Sequence, residues 1–249
     1  MLYDAIAPLL PGVQKPARYT GGEVNMVKKN PEAVRVRFAF CFPDTYEVGM
    51  SHLGMKILYH ILNKREEFYC ERVFAPWMDM ERAMRENQIP LYSLETFTPV
   101  RDFDLVGFTL QYEMSYPNVL NMLDLAGIPM TWRERDAVDA PFVVCGGPCA
   151  FNPEPLADFV DLFMVGDGEE QILELCEHYD AWKARGGTRE EFLLEMANIE
   201  GNYVPRFYEA QYDGAGEFAG LVRTRDDVPA RIRKRCIPDL DHADYPDRI

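Results

Sequence analysis

The fold is decided by the stretch Val34-Arg-Val-Arg-Phe-Ala-Phe-Cys-Phe42, which runs directly into Pro43-Asp44. Its first residues alternate between apolar and charged side chains, and its second half is continuously apolar. This pattern is typical of a central strand whose carboxyl end is covered on both faces of a sheet. Apolar residues then recur at helical spacing between Leu53 and Asn63, so the order is strand, loop, helix.

The same alternation continues along the chain. Further strands are predicted at 71–76, 104–110, 141–145 and 162–165, and further helices at 78–87, 118–126 and 170–183. Strands that alternate with helices across short loops indicate a parallel sheet with helices on both faces and right-handed crossovers. We therefore predict an α/β, Rossmann-like (flavodoxin-like) fold with a five-stranded parallel sheet in the order 2-1-3-4-5.

Three parts of the chain differ in their pattern. They are a lead segment at 1–33, the Rossmann-like domain at 34–187, and a small α+β extension and linker at 188–249. In the extension, Thr188 and Glu191 form a capping-box signature before a helix, and residues 203–212 and 218–225 predict a hairpin. The charged tail stops in linker-like sequence, so we expect the natural protein to be longer.

Charge and hydropathy argue against several kinds of partner. The net charge of −15 makes a nucleic-acid or anionic-membrane surface improbable, because phosphates are bound chiefly by clustered Lys and Arg. The basic run Arg231–Arg235 is an exception, for which a solvated edge strand is favoured over nucleic-acid contact. No stretch contains close to the roughly 20 consecutive apolar residues that are needed to span a bilayer.

The six cysteines are scattered along the chain and lie partly within apolar runs, which suits reduced thiols in the cytoplasm.

Four loops of unusual composition leave the carboxyl ends of predicted strands, where doubly wound sheets bind their ligands. They cover residues 44–55, 109–113, 146–149 and 166–170. Singly, each loop is explained by packing glycines, a flexible strand exit or helix-start acids. Together they predict a cleft on one rim of the sheet, because backbone that approaches a ligand closely needs glycine.

Three of these loops carry a family resemblance. The motifs Asp44-x-Tyr46-x-x-Gly49, Thr109-Leu-Gln111 and Gly146-Gly147 resemble the D-x-H-x-x-G, S-x-L or T-x-L, and G-G loops of cobalamin (vitamin B12)-binding domains. Longer blocks at 42–54, 71–77, 102–113 and 146–155 look like the amino-terminal region of bacterial cobalamin-binding-domain radical S-adenosylmethionine (SAM) proteins. The resemblance runs from about residue 15 to the end of the chain.

The resemblance implies which residues bind the cofactor. Those of the first loop would face its lower side and nucleotide tail, namely Asp44, Thr45, Tyr46, Gly49, Ser51 and Gly54. Those of the next two loops would line the slot for the tail, namely Thr109, Gln111, Gly146, Gly147 and Pro148. Tyr46 stands where family members that ligate cobalt have histidine. A phenol with a pKa of about 10 is a poor replacement for a neutral imidazole, so cobalamin would bind without a histidine ligand, or the fold has lost the cofactor.

The resemblance also implies a second domain. Radical SAM enzymes hold a [4Fe–4S] cluster through Cys-x3-Cys-x2-Cys, but Cys145-x3-Cys149 is followed by Asn152. We therefore expect the cluster and SAM in a radical SAM domain in cis, beginning soon after the segment at 239–246. Within this chain we assign no metal ligand and no catalytic residue. His52 and His60 share a helix face, but no Cys or carboxylate accompanies them at a metal-ligand spacing.

Three functional interpretations follow. The favoured one is a cofactor- or substrate-presenting module for SAM-dependent radical modification of an unknown substrate. The second is a docking module with a vestigial cleft, in which Trp77 and Trp132 matter more than the loop glycines. The third is a nucleotide or flavin site at the same edge, because this architecture hosts many ligands.

Overall fold

The computed structural model describes residues 2–239, 241 and 243–246. The central strands are β1 (Val36–Phe42), β2 (Phe68–Phe74), β3 (Leu105–Thr109), β4 (Phe142–Gly146), β5 (Leu162–Met164) and β6 (Asn202–Tyr203). They form one sheet in the order β2-β1-β3-β4-β5-β6. The first five strands are parallel, and β6 is antiparallel to β5. The α/β class and the mostly parallel central sheet are confirmed.

The predicted five-stranded sheet is wrong in its number of strands. The sixth strand, β6, pairs Tyr203 with Phe163 and Asn202 with Met164. A two-residue strand contains no period that a sequence pattern could reveal. The hairpin prediction is corrected at the same place: a 3-10 turn at Pro205–Phe207 separates β6 from the two-stranded sheet of β7 (Tyr208–Tyr212) and β8 (Phe218–Arg223).

Eight α-helices lie within the described ranges. They are α1 (Leu2–Ile6), α2 (Tyr46–Ser51), α3 (Leu53–Lys64), α4 (Met78–Glu86), α5 (Tyr116–Ala126), α6 (Trp132–Arg135), α7 (Gly168–Arg185) and α8 (Arg189–Ala197). The helices α3 and α7 pack against each other, and α7 also packs against α8. The short helices α2 and α6 are not predicted by the sequence pattern, because four to six residues are too few to show helical periodicity.

The second strand begins earlier than predicted, at Phe68 instead of residue 71. Two adjacent charged residues within it, Glu71 and Arg72, are buried. Arg37 donates a hydrogen bond of 2.5 Å to the Glu71 carboxylate, and Thr96 donates another of 2.5 Å. Burial of these charges depends on partners from other elements, because an unpaired buried charge is costly.

A buried charge cluster ties α8 to the sheet. Asp161, which precedes β5, accepts hydrogen bonds from Arg135 at 3.0 Å and from Arg189, the first residue of α8, at 2.9 Å. It also accepts the backbone N–H of Val143 in β4 at 2.8 Å. The extension after residue 187 thus contributes both this contact and β6, while the domain boundaries at 33 and 187 stay predictions.

Other sequence expectations have simple outcomes. Thr188 and Glu191 form both hydrogen bonds of the predicted capping box. Five cysteines are buried, Cys236 is exposed, and all six are free thiols. In the part of the chain that the structure covers, no helix combines the length and apolar character needed to cross a bilayer.

Candidate functional site

A cleft of about 350 Å³ opens at the carboxyl edge of the sheet and extends between the sheet and helices α3 and α7. All four predicted loops contribute to it. Its mouth is lined by His52, Gly54, Thr109, Gln111, Gly146, Gly147, Pro148, Gly166, Asp167, Gly168 and Glu169. Its interior is mostly apolar, with strand residues such as Phe38, Phe40 and Val144 opposite Leu58 of α3 and Ile172 of α7. The arrangement is that of an apolar slot with a polar, glycine-rich opening.

Backbone hydrogen bonds hold the loops after β3 and β4 together. Leu110 donates its N–H to the carbonyl of Gly146 at 2.7 Å, and Cys149 donates its N–H to the carbonyl of Leu110 at 3.0 Å. The side-chain amide of Gln111 donates to the hydroxyl of Thr109 at 2.6 Å. This side of the cleft is therefore a preformed backbone wall with a small polar group at its lip.

Gly147 is the residue of this wall that only glycine can fill. Its φ of +95° lies in the left-handed region, and a Cβ built on it would lie 2.9 Å from the carbonyl oxygen of Leu110. Gly146 differs, because the nearest atom to a Cβ there would be the carbonyl oxygen of Met164 at 3.7 Å. The second glycine of the pair is thus required by the loop, and the first is not.

The opposite side of the mouth is formed by the loop after β5. Gly166 has φ +117°, and a Cβ there would lie 2.1 Å from the carbonyl oxygen of Arg235. Arg235 forms a parallel bridge with Gly166, and the carboxylate of Asp167 accepts the backbone N–H of Ile237 at 2.8 Å. The last residue of the basic run and the residues that follow it are thereby attached to the edge of the cleft.

His52 contributes an imidazole to the mouth in a defined tautomer. Its Nδ1 accepts the backbone N–H of Met55 at 3.0 Å, which caps α3. An accepting Nδ1 leaves the proton of the neutral ring on Nε2. Gly54 permits this ring position, because a Cβ there would lie 2.9 Å from His52 Cε1. His52 therefore offers a hydrogen-bond donor to a ligand, and its one lone pair is already used.

Five of the predicted site residues do not line the cleft: Asp44, Thr45, Tyr46, Gly49 and Ser51. Thr45 precedes α2 without capping it through its side chain, and Ser51 donates its hydroxyl to the carbonyl of Val48 at 2.8 Å. Gly49 is a close-packing glycine, because a Cβ there would lie 2.3 Å from the ring of Phe74. Formation of α2 places most of this loop beside β2 instead of at the mouth.

Tyr46 and Asp44 are engaged with other residues. The Tyr46 hydroxyl donates to the Glu23 carboxylate at 2.8 Å, and burial together with this carboxylate raises the pKa of Tyr46 to about 12. Asp44 accepts a hydrogen bond from the hydroxyl of Tyr112, which raises the pKa of Tyr112 to about 12. Tyr46 is thus a neutral phenol paired with Glu23, and Asp44 joins the loops after β1 and β3.

The structure brings six of the eleven predicted residues together: Gly54, Thr109, Gln111, Gly146, Gly147 and Pro148. The predicted cofactor-binding residues did not include His52 or any residue of the loop at 166–169, although that loop was one of the four predicted to form the cleft. The position of that loop after a strand was the signal that placed it at the cleft, whereas the apolar residues of the interior have the same pattern as any buried strand. Across 2–239, 241 and 243–246, no group of three or more His, Cys, Asp or Glu side chains could hold a metal ion.

Comparison with known protein sequences shows a family match and a similar protein. A family described as "Radical SAM proteins, N-terminal" has a sequence model that matches residues 54–205. An uncharacterized protein of Methanocaldococcus jannaschii is 29% identical over 133 residues, which cover 53% of this chain and 24% of that protein. The chain therefore matches about a quarter of the length of this curated relative.

One solved structure is also similar. It is the radical SAM methyltransferase TsrM from Kitasatospora setae, with tryptophan substrate and a SAM analog bound. The match covers 72% of this chain and 29% of that chain, with 15% sequence identity and a TM-score of 0.40.

Proposed function

Because the chain belongs to the family of amino-terminal regions of radical SAM proteins, we propose that it presents a cofactor to a radical SAM domain in cis. In this proposal, the cleft at the carboxyl edge of the sheet binds the nucleotide tail of cobalamin. The reaction served is a SAM-dependent radical modification of an unknown substrate. The [4Fe–4S] cluster and SAM belong to the radical SAM domain. The free and mostly buried thiols support a cytoplasmic location.

The observation that carries the proposal is the slot between the sheet and helices α3 and α7. Its apolar walls, with Phe40 on the strand side and Leu58 and Ile172 on the helices, suit the faces of a flat heteroaromatic base. Gly147, with its left-handed backbone, lets the loops after β3 and β4 pack against each other beside this slot, where a Cβ would lie 2.9 Å from the carbonyl oxygen of Leu110. The residues present therefore fit an inserted aromatic tail.

The mouth supports recognition of the polar part of such a tail. His52 supplies an Nε2–H donor, and the amide of Gln111 supplies both a donor and an acceptor. These groups match the amide and phosphodiester oxygens that link a corrin ring to its nucleotide. When bound, the corrinoid would supply a redox-active cobalt, while the side chains of this chain orient the tail.

The proposed binding mode has no protein ligand to cobalt. Tyr46 does not line the cleft, and its hydroxyl is bonded to Glu23. The Nδ1 lone pair of His52 is occupied by the amide of Met55. Ligation by His52 would therefore require loss of the cap of α3.

The test is retention of hydroxocobalamin by the full 249-residue chain after incubation and gel filtration, measured as visible absorbance of the protein peak. Leu58→Trp places an indole in the slot from α3, and Leu53→Trp is its matched control, because Leu53 is exposed on the same helix and does not line the cleft. We expect the wild type and Leu53→Trp to retain colour and Leu58→Trp to lose it.

Other results would change the proposal. A colourless wild-type protein overturns cobalamin binding, and titration with flavin mononucleotide under the same conditions then tests the slot as a flavin site. Equal retention by Leu58→Trp and Leu53→Trp would place bound cobalamin outside the slot. The docking-module alternative is supported by the exposure of Trp77 and Met78, and it predicts that neither cofactor binds.

A further inference from the structure

A second cavity, of about 470 Å³, lies on a different side of α3 from the cleft. It is enclosed by α3, by residues of the lead segment near Glu23, by Met50 of α2 and by Pro246 of the tail. No residue lines both cavities. The second cavity is therefore a separate site, and the proposed function does not use it.

The floor of this cavity carries buried hydrogen-bond donors without good acceptors. Arg72 bonds to Glu95 at 2.6 Å and to Glu23 at 2.9 Å. Among the residues that the structure describes, the acceptor for its Nη1 is the thioether sulfur of Met50, at 3.3 Å, which is a weak acceptor. The Tyr59 hydroxyl accepts the backbone N–H of Val27 at 2.9 Å. Its own proton has no acceptor among the residues that the structure describes. Buried donors of this kind normally have partners, so they indicate space for a ligand acceptor.

Basic side chains of α3 form the rim of the second cavity, although the chain as a whole is strongly acidic. Lys56, His60 and Lys64 are four residues apart along α3 and therefore share one face of the helix, which lines the cavity. The ammonium group of Lys56 has no ion-pair partner in the described part of the chain. The net charge of the whole protein is −15, so this basic stripe of Lys56, His60 and Lys64 is opposite in sign to the protein as a whole.

The chain itself places a carboxylate on this stripe. Asp244 in the tail lies 2.6 Å from Lys64 Nζ, and its other oxygen lies 3.8 Å from His60 Nε2. Pro246, two residues further on, lines the cavity. The stripe is thus positioned to hold an oxyanion, and the tail presents one to it from within the molecule.

We propose that the second cavity binds a small organic anion. Its carboxylate or phosphate group lies on the basic stripe in competition with Asp244. Its apolar body packs against Met50, Met55 and Tyr59, and its polar atoms accept from the donors at the floor. Arg72 is already bonded to the carboxyl groups of Glu95 and Glu23, so the stripe on α3 supplies the charge that selects an anion.

The experiment is an NMR titration of the full chain carrying methionine methyl labels. The probes are benzoate and phenyl phosphate, which distinguish the two oxyanions, and benzyl alcohol is the neutral control. We expect saturable shifts of the Met50 and Met55 methyls with at least one anion. The Met164 methyl, which lies in the first cleft, should not move. Benzyl alcohol should bind at least about tenfold more weakly, because it lacks the charge that the stripe recognises.

Two variants with opposite expected effects complete the test. Asp244→Ala removes the competing carboxylate and should tighten binding of the anion by about two- to fivefold. The double variant Lys56→Gln/Lys64→Gln should weaken it by about tenfold. Gln111→Ala alters only the first cleft and should leave the affinity unchanged. The proposal is overturned if neither anion saturates the wild type or Asp244→Ala, if the lysine variant binds equally well, or if Gln111→Ala abolishes the shifts.

Discussion

The imidazole Nδ1 of His52 accepts the backbone N–H of Met55 at 3.0 Å, and the same ring lines the cleft. The side chain of His52 thus caps the amino terminus of α3 and also faces the candidate ligand. The structural role and the binding role of His52 can be separated by substitution, because asparagine also caps helices well and alanine does not.

We expect His52→Ala to lower the free energy of unfolding by about 1 kcal/mol, and His52→Asn to keep it within about 0.5 kcal/mol of the wild type. Urea denaturation measures both values. Both variants should weaken cobalamin binding, since both lose the Nε2–H donor. A long-range proton–nitrogen NMR spectrum that shows the proton on Nδ1 of the neutral ring would refute the tautomer assignment.

The two glycines after β4 should differ in their tolerance of alanine. Gly147→Ala should lower the free energy of unfolding by about 1–3 kcal/mol, because it combines a left-handed φ with a Cβ 2.9 Å from the Leu110 carbonyl oxygen. Gly146→Ala should change it by less than about 1 kcal/mol, since the site has room and alanine restricts the unfolded chain. Thermal unfolding of the two variants compares them directly, and equal losses would contradict the assigned backbone.

The buried carboxylate of Asp161 should be essential to stability. Asp161→Asn leaves Arg135 and Arg189 without their shared anion and should lower the free energy of unfolding by about 3–5 kcal/mol. Asp158→Asn is the matched control, because its ion pair with Arg133 is exposed and should contribute no more than about 1 kcal/mol. Similar small losses in denaturant titrations of both variants would show that the cluster does not stabilise the fold.

A pH dependence of stability is expected from Glu95. Burial raises the pKa of Glu95 from 4.5 to about 7 against the opposing attraction of Arg72. The folded pKa lies above the unfolded one, so the contribution of Glu95 to stability is fully present below pH 4.5 and is lost as the pH rises through about 7. The glutamine of the Glu95→Gln variant cannot ionise, so the stability of this variant does not fall with pH for this reason.

The measurement is the difference in unfolding free energy between the wild type and Glu95→Gln, followed from pH 5 to pH 8. As the pH rises, the stability of the wild type should fall relative to that of the Glu95→Gln variant. A difference that shifts in favour of glutamate would mean that the ion pair with Arg72 outweighs the burial of the carboxylate.

A histidine at position 46, where cobalt-ligating cobalamin-binding domains carry one, should not become a cobalt ligand in this protein. The phenol of Tyr46 is bonded to Glu23, and its ring packs edge-on against Phe74 with centroids 5.3 Å apart. Tyr46→His should therefore bind cob(II)alamin without nitrogen coupling from the protein in its electron paramagnetic resonance spectrum. Such a coupling, if it disappears on further change to Tyr46→Phe, would show that this position does reach the cofactor.

Much of the architecture could be predicted from local pattern. The apolar strand at 34–42, the helical period after Leu53 and the glycine-bearing loops after strands give the α/β class and the convergence of four loops. This succeeds because parallel strands joined by right-handed crossovers place all their carboxyl ends at one edge. The sixth strand was not predicted, since Asn202 and Tyr203 join the sheet only through their pairing with β5.

Which side chains line the cleft was decided by the tertiary structure. Tyr46 and Gly49 belong to the motif that predicts a cofactor contact in the first loop, but both lie in α2. There, Gly49 packs against Phe74 and Tyr46 bonds to Glu23. His52 enters the site because its ring caps α3 and lies on Gly54. The alternation of apolar and polar residues therefore determined the sheet and its ligand edge. The direction of each side chain at that edge was decided by partners far along the chain, whose contacts have no signature in local sequence.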